Sequence, residues 1–281
     1  MKGWLKTAAV TAALAIVSMA ADAQWPPWPT PNVPRNPDGT PNLEAPTPRT
    51  ADGHPDFTGI WQRPEGVNGG GAASREDEEP APQPEGTPPL ATFFDIGANI
   101  EGGAPYTEWA RQVREQRMAD DMKDNPDAHC LPMGHMQFHL HPQPRKIIQT
   151  PDVMVILYEA NGGVRQIFLD GRPPPGPDAL PWWYGYSVGH WEGDELVVTT
   201  TGLRDDVWLD VLGSPLTSSG KIVERFRRPA FGRMEIDVTI EDPKAYTKPF
   251  TVRVNHEIML DTELIEFVCQ ENEKSTRHFD P

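Results

Sequence analysis

The chain has 281 residues and a formal charge of −16, with 25 Lys and Arg scattered among 41 Asp and Glu. Phosphate binding needs a concentrated basic face, so this balance excludes nucleic acid as an expected partner. Two cysteines leave room for one disulfide.

The chain opens on the three parts of a secretory leader: Lys2 and Lys6, an apolar stretch from Ala8 to Met19, and Ala21-Asp22-Ala23 as an A-x-A cleavage site. Export to the periplasm or the medium is expected, with cleavage near Ala23. The apolar stretch falls short of the roughly 20 residues a membrane span needs, and no later segment approaches that length. In an oxidising compartment Cys130 and Cys269 are expected to pair. A bridge closing so long a loop contributes roughly 4 to 5 kcal/mol in the chain-entropy model.

From Gln24 to about Arg49 proline is dense, which suits an extended surface arm. Asp56 to Trp61 is the first compact apolar signal, and the stretch from Gly66 to Pro89 returns to Gly, Pro and Glu, the composition of a long loop. Thr107 is placed to cap a helix carrying Trp109, Val113 and Met122 at helical spacing, with Asn125-Pro126 as its stop. From Lys146 onward short alternating or continuous apolar runs alternate with turn residues, the mark of antiparallel strands. About nine are expected, with Lys146 to Gln149 as the first and Leu264 to Gln270 as the last. Tight links such as Pro151-Asp152, Asn161-Gly162-Gly163 and Glu192-Gly193-Asp194 predict hairpins.

The fold class is therefore all-β: an antiparallel up-and-down meander closing into a lipocalin-like barrel, because closure removes exposed edges. An open sandwich is the alternative. The expected division is a leader at 1–23, arm and loop at 24–92, helix and connecting segment at 93–145, and barrel at 146–281.

Several segments carry a wider resemblance: Pro55 to Trp61, Cys130-Leu131-Pro132, Arg165 to Arg172, Gly185 to Asp194 and Glu224 to Arg228. Together they resemble a large group of exported bacterial β-rich proteins, over nearly all of the chain beyond the leader. The resemblance implies export and a shared fold, and it implies no activity. One departure concerns the Gly213-Ser214-Pro215 turn: the group carries a His-Thr/Ser-Glu sequence after it, where this chain has Leu216-Thr217-Ser218.

Three sets of residues are candidates for chemistry. Cys130 to His141 is rich in histidine; read as extended, it places His139 and His141 on one side about 7 Å apart, and with His135 they could ligate Zn or Cu. Otherwise no cofactor is expected. Trp182, Trp183, Tyr184 and Tyr186, with Trp191, could line a pocket mouth or pack as core. Charged residues inside strands form the third set, among them Glu159, Arg165, Glu224, Arg225, Asp237, Arg253 and Glu266. If some face a cavity, Arg165 or Arg225 could fix an anionic or carbonyl group while Glu159 or Glu224 serves as acid or base. His190 and Asp210 form a further candidate proton-transfer pair.

These readings support four expectations. The first is an exported barrel binding a small, partly apolar molecule. The second is a cofactor-independent lyase, isomerase or hydrolase using carboxylate or His acid–base catalysis in the same cavity. The third is a His-based metal protein, and the fourth a structural envelope protein whose proline arm binds a partner. Nothing in the sequence specifies an oligomeric state.

Overall fold

The structure, a computed structural model, describes residues 28–64, 85–176, 178–269 and 271. The expected leader and most of the Gly/Pro/Glu-rich stretch lie outside them. Nine strands close into one barrel in chain order. They are β1 (Gly59–Gln62), β2 (Arg145–Gln149), β3 (Val153–Tyr158), β4 (Val164–Phe168), β5 (Tyr186–Glu192), β6 (Glu195–Thr201), β7 (Lys221–Ala230), β8 (Arg233–Glu241) and β9 (Phe250–Met259). Closure leaves every long strand paired on both sides, so the sheet has no edge to shield.

The strands differ from the sequence reading in three ways. The β4–β5 pair is parallel, through Ile167 opposite Ser187 and Phe168 opposite Val188, so the barrel is mixed rather than a pure up-and-down meander. The proline-rich link from Asp170 to Pro181 is long enough to carry the chain back across the barrel. The last expected strand, Leu264 to Gln270, does not form over its described residues, 264–269: β9 already pairs with β8 and with β1, leaving no free edge for it. The ninth strand is instead Gly59–Gln62, from the region read as arm and loop.

α1 (Glu108–Ala119) starts as expected, with the Thr107 hydroxyl accepting from the Ala110 amide. It stops one turn early, because Asp121 and Met122 adopt left-handed backbone angles. Cys130 and Cys269 are bridged. The bridge ties the segment before α2 (His135–Leu140) to the chain beyond β9, rather than to a last strand. No helix among the described residues is long and apolar enough to cross a membrane.

Alternation decides the barrel's interior. Along β7, Ile222, Glu224 and Phe226 are buried while Val223, Arg225 and Arg227 are only partly covered; the register shifts beyond Arg227, and Arg228 is buried at the barrel's end instead. Inward-facing Met154, Ile156, Ile167, Val198, Ile236, Val238, Val252 and Val254 make an apolar core. Against it sits α2, all six of whose residues are buried. The expected extended His strand is thus a helix inserted into the barrel. Six residues are too few to show a 3.6-residue period, and the i, i+2 spacing of His139 and His141 imitates a strand.

Candidate active site inside the barrel

Gly134 starts α2 in a left-handed conformation (φ +82°), where a Cβ would lie 2.6 Å from Val207 Cγ1. Glycine is required there on both counts. At the other end the last carbonyls of α2 are gathered by two buried arginines. Arg63 Nη1 donates to Leu140 O (3.0 Å), and Arg145 donates to His139 O (2.8 Å) and His141 O (2.8 Å). Cations at a helix C-terminus complement its dipole, which suits two guanidiniums placed so deep. His256 of β9 lies against Arg145 and donates to His139 O at 3.0 Å.

One turn apart on α2, His135 and His139 face the same point, and that point is Glu224 of β7. His139 Nε2 lies 2.8 Å from Glu224 Oε1, and His135 Nε2 lies 3.7 Å from Oε2. Arg165 of β4 meets both carboxylate oxygens, through Nη1 to Oε1 at 2.9 Å and through Nη2 to Oε2. The guanidinium also donates to Ser187 Oγ (3.1 Å) on β5 and Thr200 Oγ1 (3.0 Å) on β6. Tyr158 of β3 presents its hydroxyl to this group, and its ring stacks on Phe138 at 4.4 Å. Glu224 is 0% exposed, and Arg165, His135 and His139 are 1% exposed.

The charges follow from this geometry. Burial would push the Glu224 carboxyl up, but the Arg165 guanidinium and the hydrogen bonds from His139 and Arg165 hold it well below the usual range, so it is ionised. Burial, reinforced by the charge of Arg165, keeps His135 well below 6.5. Burial also lowers His139, against the opposing pull of Glu224. Both imidazoles are neutral at pH 7. Burial raises the Tyr158 hydroxyl to about 12, so it remains a proton donor.

A neutral imidazole beside a carboxylate must donate to it, so His139 carries its proton on Nε2. Its Nδ1 is then an unprotonated acceptor, buried and without a hydrogen-bond partner. His135 bonds the Tyr184 backbone and leaves Nε2 likewise unpartnered. Buried polar atoms are ordinarily paired, so two open imidazole nitrogens in one layer mark a place built for a hydrogen-bonding guest or for proton transfer.

The other expected site residues are dispersed. His141 packs edge-on against Phe93 at 5.1 Å, away from Glu224. Among the described residues no group of three or more His, Cys, Asp and Glu is arranged to hold a metal ion. A cation at His135, His139 and Glu224 would have to displace Arg165. Glu159 lies outside the barrel and accepts from the Ile265 amide at 3.0 Å. His190 and Asp210 do not form a pair: His190 is exposed beside Glu192, whereas Asp210 is buried and accepts from Ser214 and the Ile96 amide. Arg225 points outward to Glu192 and Glu195, and Asp237 and Arg253 pair with each other on the same outer face.

The aromatic residues also divide. Trp182 and Tyr186 pack together at 5.4 Å on the outside, and Trp191 stacks on His54 at 4.3 Å. Trp183 lies under Arg204 (4.5 Å) in a cleft of about 510 Å³ beside α1. Only Tyr184 reaches the interior site, with its ring 5.6 Å from Phe138. Arg145, Tyr158 and His256 carry no mark of their own in the sequence, because their inward phase shows only beside the apolar residues that share it, as Ile147 does with Arg145 and Val254 with His256.

Fold and site define a closed nine-stranded mixed barrel with a buried helix docked on an ionic layer. No family model, curated protein or solved structure matches the chain.

Proposed function

We propose that this is an exported protein whose barrel interior carries out acid–base chemistry on a small molecule, with His139 as the general base. The observation that carries the reading is the unpartnered Nδ1 of a neutral His139 whose Nε2–H is held by ionised Glu224. In this arrangement Nδ1 takes a proton from the substrate, and Glu224 stabilises the imidazolium that results. The electron pair left behind is delocalised onto a substrate carbonyl, whose oxygen the Tyr158 hydroxyl serves as donor. His139 returns the proton at the same or a neighbouring atom. Isomerisation fits this sequence. Arg165 positions Glu224 and touches no substrate. The Cys130–Cys269 bridge and the leader pattern support action in the periplasm or the medium. Because its charged and imidazole side chains are at most 1% exposed, substrate entry requires the barrel to open locally.

The test is exchange. A panel of small carbonyl compounds is incubated with the protein in D2O and followed by NMR for deuterium uptake beside the carbonyl. The expected result is uptake for at least one compound, reduced at least 100-fold in a folded His139→Gln variant. Uptake that is absent throughout, or indifferent to His139→Gln, overturns the reading. A second reading rests on the rings of Phe138, Tyr158 and Tyr184 that flank the polar layer: the same site holds a small, partly apolar ligand without transforming it. Saturable binding without exchange would favour that outcome.

A further inference from the structure

A separate groove of about 610 Å³ lies on the outside of the barrel, over β1, β2 and β9. Its roof is the start of the described chain, from Trp28 to Asn32. Two reciprocal hydrogen bonds pin this roof, Thr30 N to Asp261 Oδ1 and Asp261 N to Thr30 Oγ1, both 2.8 Å. The floor is apolar where an outer barrel face is ordinarily polar, with Ile148 41% exposed in it, and Trp28 in the roof above is 51% exposed. At one end Arg228 is buried between the rings of Trp61 (4.8 Å) and Phe231 (5.3 Å). Its recorded donations all go to main-chain carbonyls, those of Asp56 and Phe231, and among the described residues it makes no ion pair. The other lining cations are matched, Arg49 by Asp194 and Lys146 by Glu263.

We infer that this groove is a binding site for a small amphiphile with an apolar body and one anionic group. The body lies on Ile148 and Ile258 under Trp28, and the anionic group faces Arg228. Two features argue for that ligand class: apolar surface under a pinned roof, wide enough for a molecule of this size, and one buried guanidinium that makes no ion pair among the described residues, the Asp56 carboxylate acting on it only at longer range. The site is independent of the interior chemistry, so either can fail alone.

The full chain is titrated with 8-anilinonaphthalene-1-sulfonate and, separately, with the uncharged N-phenyl-1-naphthylamine, reading probe emission and energy transfer from tryptophan. The expected result is saturable binding of the anionic probe at one site, at least tenfold tighter than the neutral probe. Ile148 is exposed, so substitutions there leave the barrel intact. Ile148→Glu should weaken the anionic probe at least tenfold relative to Ile148→Gln, and Trp28→Ala should remove the energy transfer from the roof. Equal affinity for the two probes, or anionic binding indifferent to Ile148→Glu, would overturn the site.

Discussion

Glu224 and Arg225 are adjacent in the chain and belong to two different electrostatic regimes. Glu224 points inward, where Arg165, His139 and His135 surround it with no access to water. Arg225 points outward into a ladder in which it pairs with Glu192 and Glu195, Arg227 with Glu195 and Asp237, and Arg253 with Glu235 and Asp237. The outer ladder keeps contact with solvent, so each of its pairs is weak and screened by salt. The inner pair is a commitment: removing one member strands the other in a low-dielectric interior. A barrel needing only stability could fill that layer with aliphatic residues. Its ionic content therefore supports a role in chemistry.

The sharpest way to break this contrast is to remove Glu224. Glu224→Ala should destabilise the protein by about 3–5 kcal/mol, because Arg165 is left buried and unpaired. Urea unfolding measures this, and the loss should change little with added salt. The double change Arg165→Met with Glu224→Leu should recover most of it while leaving the exchange activity absent. A double variant as unstable as the single would mean that the ionic layer itself holds the barrel together.

Next in size is the seat of α2. A Cβ on Gly163 would lie 2.7 Å from the Phe138 ring, so Gly163→Ala should cost about 1–3 kcal/mol and perturb the packing on Tyr158. Near-UV circular dichroism together with urea unfolding would read both effects.

Acid sharpens the comparison from another side. His135, His139 and His256 are held neutral by burial, while in the unfolded chain they take up protons from about pH 6.5 downward. The unfolded state then binds more protons, so stability falls as the pH drops below about 6.5. Glu224 acts in the same direction lower down. Its depressed pKa contributes stability above the ordinary value of 4.5, and that contribution is lost as the pH falls below it. Urea midpoints between pH 8 and pH 4 should decline steadily from about 6.5; a flat profile to pH 5 would place the histidines in contact with water. The smallest effect belongs to the outer ladder: Arg227→Ala should cost about 1 kcal/mol or less, and less still in 1 M salt.

How far the sequence exposed this arrangement depends on the length of each signal. Strands β2 to β9 are five to ten residues long and bounded by turns, and each is legible by period and punctuation. Strand β1, with four residues, and α2, with six, are too short for any period to register. Leu264 to Val268 reads as a strand by its alternation, but pairing is a property of available edges, and β1 had taken the last one. Of the site, Glu224 and Arg165 were visible as charges inside strands. Their inward phase is encoded beside them, since Glu224 alternates with Ile222 and Phe226, and Arg165 with Ile167. The meeting of His135 and His139 with Glu224 was not legible, because it depends on α2 entering the barrel.

The most direct measurement is the protonation and tautomer of His139, read by long-range 1H–15N NMR of uniformly labelled protein across pH 8 to 5. The structure predicts a ring that is neutral at pH 7, protonated on Nε2 with Nδ1 bare, and that takes up a second proton only below the ordinary value of 6.5. A ring protonated on Nδ1, or one titrating at or above 6.5, would contradict a general base held in place by Glu224.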